Sequence, residues 1–155
     1  MLEQGPSRNT VNMEWDKIWA TNRKNIDPLA GKYTCMEKAK SCLLTLTDLD
    51  DKEVVTTVAV HPKNDSLGTK PLFHSNKLYL EADDAKIIKE GEKITLMKLG
   101  NVMVEKITPL DNGLFDIKAK TMFDDKDFKT TQKFTWLIAD EKILVKFKLN
   151  FFNKK

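Results

Sequence analysis

Two histidines, two cysteines and a cluster of aspartates are the side chains whose types could do chemistry in this sequence. His61 stands immediately before Pro62, in the loop-like run His61-Pro62-Lys63-Asn64-Asp65. It reads as a turn residue rather than a base. His74 lies in an apolar stretch and reads as structural. Cys35 and Cys42 have six residues between them. Neither their spacing nor the distant histidines suit a zinc site, so reduced thiols are expected, as in a cytoplasmic chain. Asp48, Asp50 and Asp51 carry enough charge to hold a divalent ion. No glycine follows them at the spacing of an EF-hand loop, and a solvated acidic turn is expected instead. The sequence has no glycine-rich phosphate loop, no HEXXH pair and no nucleophile elbow. No catalytic residue and no metal ligand are therefore assigned.

What remains is lysine. Arg8 and Arg23 are the only arginines among 26 Lys and Arg residues, and the formal net charge of the 155-residue chain is +3. A lysine-rich surface suits phosphate contact and is poor at bidentate reading of bases. A mild positive charge does not by itself identify a nucleic-acid binder. With 41% hydrophobic and 32% charged residues, the chain can build a core and stay soluble. No run approaches the roughly eighteen apolar residues of a membrane span. No basic region followed by an apolar stretch opens the chain, so neither a signal peptide nor a membrane partner is expected.

The elements that must position these side chains begin with one helix. Gly5-Pro6 breaks what precedes it, and Asn9, Thr10 and Asn12 are good N-caps. Val11, Trp15, Ile18, Trp19, Asn22 and Ile26 follow at helical spacing, and Asp27-Pro28 ends the helix by pushing Asp27 out of the α region. A stripe with two tryptophans is too apolar to stand free and is expected to dock. After Pro28 the texture turns to strand: Cys42–Thr47, Val54–Val60, Leu72–Glu81, Ile94–Met97, Val102–Thr108, Phe115–Met122, Lys133–Ile138 and Ile143–Leu149. A short helical turn is expected within Ala82–Lys89, and turns at Leu99-Gly100-Asn101 and Asp124–Asp127. Asp111-Asn112-Gly113 is a strong hairpin signal between the strands ending at Thr108 and starting at Phe115. Alternation is clearest in the last strand. Short, evenly spaced strands behind one helix predict a mainly β fold of antiparallel barrel type.

Several runs resemble one family. Residues 5–28, Val60-His61-Pro62-Lys63-Asn64, Gly68-Thr69-Lys70-Pro71, Leu78-Tyr79-Leu80-Glu81-Ala82-Asp83, Glu90-Gly91-Glu92, Gly100-Asn101 and Lys129–Leu137 resemble the eukaryotic, cytosolic-type glutamyl-tRNA synthetases. The likeness is to the region where the catalytic half hands over to the anticodon-binding half. Glutaminyl enzymes share the barrels, but the first-helix wording is the glutamyl one; bacterial glutamyl enzymes use a helical anticodon domain instead.

The resemblance implies a helical junction over residues 1–30 and an anticodon-binding β-barrel region over 31–155. It implies a tRNA(Glu) anticodon arm as partner and a cytoplasmic location. It places Lys32 where glutaminyl relatives have a base-contacting arginine, and Thr95 and Met97 where they have an Arg-x-Arg pair. Lys86, Lys89 and Lys98 stand close by for phosphate contacts, and Leu99 replaces a tryptophan. The ATP-site signatures of HIGH and KMSKS type are absent. The resemblance therefore implies a parent ligase using ATP and Mg, with its aminoacylation site upstream of residue 1 and no cofactor bound by this inactive piece. It also implies that the chain is a cut piece, with an incomplete barrel whose unpaired edges favour either a swapped or edge-paired dimer or a disordered tail. The alternatives are a stand-alone oligonucleotide-binding barrel and a protein-interaction barrel whose lysines only solubilise it.

Overall fold

The computed structural model describes residues 14–110 and 113–147. Among these, one compact unit gathers the chain up to Lys32 with Ala59–Thr69, and a second gathers Tyr33–Val58 with the chain from Lys70 onward.

In the first unit, α1 runs Trp15–Ile26 from an extended Glu14 with no side-chain cap. The cap candidates Asn9, Thr10 and Asn12, and Val11 of the stripe, lie outside the described residues. The helix stops where expected, but for a different reason. Asp27 keeps right-handed helical dihedrals and donates its N–H to Arg23 O at 2.8 Å. The stop is therefore Pro28, which has no N–H to continue the ladder. Among the described residues nothing buries the apolar stripe: no α1 residue is buried, and Trp15 and Trp19 are 72% and 60% exposed. Their rings pack on each other, centroids 6.4 Å apart. The 59–69 segment closes on itself through Val60 N–H to Gly68 O at 3.0 Å, with Asn64 Oδ1 accepting from Ser66 N–H at 3.1 Å.

The second unit is built on a seven-stranded sheet. Its strands are β1 (Ser41–Leu46), β4 (Lys77–Glu81), β5 (Lys93–Leu96), β6 (Gly100–Pro109), β7 (Phe115–Met122), β8 (Gln132–Phe134) and β9 (Leu137–Ile138). The order across the sheet is β8-β5-β6-β7-β1-β4-β9, while β2 (Val54–Ala59) and β3 (Thr69–His74) pair separately. Four of the pairings in the large sheet are antiparallel; β1–β7 and β5–β8 are parallel. The mainly β expectation holds, with these two parallel pairings as a refinement.

Curvature follows from connectivity. β8 and β9 lie at opposite edges of the sheet, yet only Thr135-Trp136 joins them. Three chain steps span at most about 11 Å. The sheet must therefore curl until its two edges nearly meet. Alternation puts Cys42, Leu44, Leu46, Leu78, Leu80, Val102, Val104 and Ile117 inside this curl, and α2 (Ala82–Ala85) contributes Ala82 and Ala85, with Ile88 beyond it. Each fully buried Leu, Ile or Val contributes about 1.5–3 kcal/mol against solvent.

Three strand boundaries differ from the expectation. Leu72–Glu81 is two strands, because β3 pairs with β2 and β4 pairs with β1, so the chain turns between sheets at Ser75-Asn76. Lys133–Ile138 is likewise two, split where it crosses from one edge to the other. Ile143–Phe147 is not a strand, although its alternation is the clearest. A period of two encodes faces, not partners. Here Ile143 and Leu144 both donate to Asp140 O, at 3.3 and 3.2 Å, in a turn. Leu149, Phe151 and Phe152 lie outside the described residues. The hairpin turn holds as far as it is described: β6 and β7 pair antiparallel, and Gly113 has φ +77° and donates to Leu110 O at 3.0 Å. Asp111 and Asn112 lie outside the described residues.

The segment after β9 is tied back by Glu141, whose carboxylate takes both Lys38 and Lys146, the latter at 2.9 Å. These cations pull its pKa down from 4.5 to about 2. A depressed carboxylate stabilises the fold above its unfolded pKa and loses that contribution as pH falls through the folded value. Glu141→Gln is therefore expected to flatten the acid side of the stability curve between about pH 4.5 and pH 2. Urea midpoints across that window check this.

Candidate nucleic-acid interface

The six lysine, threonine and methionine positions singled out above fall in three places. Lys32 is in the first unit, ion-paired with Asp27, and its N–H donates to Val60 O at 3.0 Å. Lys86 and Lys89 follow α2, exposed, with Lys86 ion-paired to Asp83 at 2.8 Å. Thr95, Met97 and Lys98 belong to β5 and its turn into β6. Lys89 precedes β5 in the chain and Lys98 follows it.

Thr95 is only 6% exposed. Its hydroxyl lies 2.5 Å from Asn101 Oδ1 and 2.5 Å from Thr131 Oγ1. Asn101 Nδ2 in turn donates to Asp125 O at 3.1 Å and Asp127 O at 3.0 Å. Lys93 closes the outside of this network on the Asp125 and Asp127 carboxylates, at 2.7 and 3.5 Å. Asp125 is held below the usual carboxylate range, first by its bond from Lys93. Thr95 is thus an internal strut under the 124–131 loop and offers no free surface to a base.

Met97 and Lys98 are presented outward. Met97 is 45% exposed. Its backbone is clamped on both sides: its N–H donates to Phe134 O at 3.0 Å, and its carbonyl accepts the Trp136 indole N–H at 2.8 Å. Leu99 N–H closes the turn on Leu96 O at 3.0 Å. Lys98 then takes φ +68°, the left-handed region that a lysine rarely adopts. Gly100 follows at φ +144°, and a Cβ there would stand 2.7 Å from the Phe123 ring. The expected Leu99-Gly100-Asn101 turn is therefore shifted back to Met97–Leu99, with Gly100 already in β6.

Two further residues bear on Lys98 through charge. Tyr33 is 75% exposed, and the Lys70 ammonium sits 4.1 Å from its ring centroid. Burial, and then repulsion from Lys98, hold Lys70 below the usual lysine range. An exposed ring with Lys70 over it and an exposed thioether beside Lys98 are thus present, and the two cations feel each other. Stacking surfaces flanked by cations are how unstacked bases and their phosphates are held.

A family model described as "tRNA synthetases class I (E and Q), anti-codon binding domain" matches residues 30–121. The chain belongs to this family. It is 43% identical over 135 residues, 86% of its length, to a mouse protein named bifunctional glutamate/proline–tRNA ligase. It is 37% identical over 138 residues to an Arabidopsis thaliana protein, and 37% over 145 residues to a Saccharomyces cerevisiae protein, covering 88% and 94% of the chain; both are named glutamate–tRNA ligase, cytoplasmic. The chain spans 9%, 19% and 20% of the length of these three relatives.

In this anticodon-binding domain, residue types and the resemblance single out Lys32, Lys86, Lys89, Thr95, Met97 and Lys98 as site residues, but not Tyr33, Lys70, Asn101 or Trp136. Tyr33 and Lys70 are far apart in sequence, and only the fold joins them. Gly100-Asn101 and Thr135-Trp136-Leu137 were visible as runs, yet a run does not say that its asparagine and tryptophan are buried struts. No helix among the described residues is long and apolar enough to cross a membrane.

Left-handed backbone costs an L-residue roughly 1–2 kcal/mol. Glycine at position 98 would relieve it while adding about 0.4–1 kcal/mol of unfolded-chain entropy. Lys98→Gly is therefore expected to stabilise the domain by about 0.5–1 kcal/mol, read by urea unfolding.

Proposed function

We propose that this chain is the anticodon-arm-binding part of a cytoplasmic glutamate–tRNA ligase, which joins glutamate to tRNA(Glu) with ATP and Mg at a site outside this segment. The observation that carries the reading is the β5–β6 turn, which presents a strained Lys98 and an exposed, clamped Met97, with Lys70 over Tyr33 within electrostatic reach of Lys98. Names borne by relatives that match most of the chain support the choice of glutamate. In this reading Met97 and Tyr33 stack on unpaired anticodon bases, and Lys98 and Lys70 neutralise the adjoining phosphates. Lys86 and Lys89 extend the phosphate track past the far end of β5. Lys32 contacts the arm from just past the helical junction, and Thr95 supports the turn from below. The helical junction comprises residues 1–30 and the barrel region 31–155.

The test is a titration with glutamate tRNA and with an anticodon-scrambled version at two salt concentrations. Binding that weakens on scrambling supports the reading. Binding that ignores the anticodon limits this segment to phosphate contact, and absence of binding at low salt by folded protein contradicts the reading.

A further inference from the structure

The first unit holds a cleft of about 670 Å³ that the anticodon reading does not use. Arg23 and Lys24 of α1 and Lys63 of the following loop line it, together with Asp27, His61 and Asn64. His61 is only 3% exposed. Its Nδ1 accepts the Lys63 N–H at 3.0 Å, which places the ring proton on Nε2. That Nε2–H is buried and has no hydrogen-bond partner. An orphaned buried donor is costly and calls for a ligand.

Charge decides what ligand. Three cations line the cleft against one carboxylate, Asp27, which is already ion-paired to Lys32. The C-terminus of α1 adds a negative end worth roughly half a charge, which Arg23 and Lys24 outweigh. Asn64 is committed elsewhere: its Nδ2 donates to Pro28 O at 2.7 Å, fixing the loop against the end of the helix.

We propose that this cleft binds a phosphate group, held by Arg23, Lys24 and Lys63 with His61 Nε2–H as the buried donor. Guanidinium, ammonium and imidazole N–H groups together satisfy a tetrahedral oxyanion. The phosphate comes either from an RNA backbone, which rests on the function proposed above, or from a free phosphate, which does not.

The experiment uses the isotope-labelled whole chain and two probes, inorganic phosphate and glutamate tRNA, with the variants Arg23→Gln and Lys63→Gln. Lys63→Gln keeps the backbone N–H that His61 accepts, and both side chains are exposed, so folding is preserved. Inorganic phosphate is expected to shift the His61 Nε2–H resonance, and each variant to weaken that response by about tenfold, the effect of losing one charge-assisted bond. Each variant is also expected to lower the slope of log affinity for tRNA against log salt by about one. If phosphate leaves His61 unmoved, the proposal is overturned whatever tRNA does. If phosphate moves His61 but the tRNA slopes are unchanged, the site stands and its source is free phosphate. If His61 responds while tRNA does not bind at all, the site stands and the anticodon reading falls.

Discussion

Asn101→Ala is expected to destabilise the domain by about 3 kcal/mol, close to the upper end for one lost polar group. Asn101 is wholly buried. It satisfies three groups at once: the Thr95 hydroxyl and the carbonyls of Asp125 and Asp127. Alanine removes the donor from both carbonyls, and Asp127 O then keeps only the longer bond from the Thr131 hydroxyl at 3.4 Å. Thr95→Val keeps the shape and removes one hydroxyl, leaving mainly Asn101 Oδ1 unpaired, so about half the loss is expected. Asn101→Asp is expected to be worse than alanine near neutral pH. It sets a carboxylate against two carbonyl oxygens in a buried site, and its own proton uptake would be needed to relieve the clash. Urea unfolding of the three variants gives the ranking directly. Equal, small losses for all of them would mean that the network is only incidental to the 124–131 loop.

Trp136→Ala is expected to cost about 3–5 kcal/mol, and Trp136→Phe about 1–2 kcal/mol. Trp136 is buried in the core where the chain crosses from β8 to β9, and its indole N–H holds the Met97 carbonyl at 2.8 Å. Alanine loses the ring and opens a cavity. Phenylalanine keeps most of the packing but leaves the Met97 carbonyl without its donor. The informative variant is therefore Trp136→Phe. Its fold survives, while the turn that presents Met97 and Lys98 loses one of its two clamps. RNA affinity is expected to fall several-fold more than in a Phe134→Leu control of similar stability, because that control keeps the backbone bond from Met97 N–H to Phe134 O. Equal loss of affinity in both would show that stability alone, rather than the turn, governs binding.

The mainly β character, the β6–β7 hairpin and most strand cores were legible because period-two alternation reports a buried face directly. Cys42, Leu44 and Leu46 on β1, and Leu78 and Leu80 on β4, are buried as their spacing requires. Alternation failed at Ile143–Phe147, since a face still needs a neighbouring strand to pair with. It also failed to show that one apolar run, Leu72–Glu81, serves two different sheets. Helical spacing found α1 but predicted a docking that the described residues do not supply. The candidate site was half legible. Lysines and the Thr95–Lys98 run could be marked, whereas Lys70 over Tyr33 and Trp136 under Met97 join residues 37 and 39 positions apart. Long-range pairs of this kind exist only after the sheet has curled. Lys98's positive φ is equally silent in sequence, since nothing in the residue type announces it.

The central claim is that the Met97–Lys98 turn touches anticodon bases. The measurement that tests it most directly is methyl NMR of the chain labelled at its methionines, with an RNA hairpin carrying the glutamate anticodon loop. The Met97 methyl is expected to shift on addition of the hairpin and to shift much less with a scrambled loop of the same length and charge. The more enclosed methionines Met103 and Met122 are expected to stay nearly still. A Met97 methyl that does not move while the chain binds the hairpin, or that moves equally with either loop, would contradict the claim.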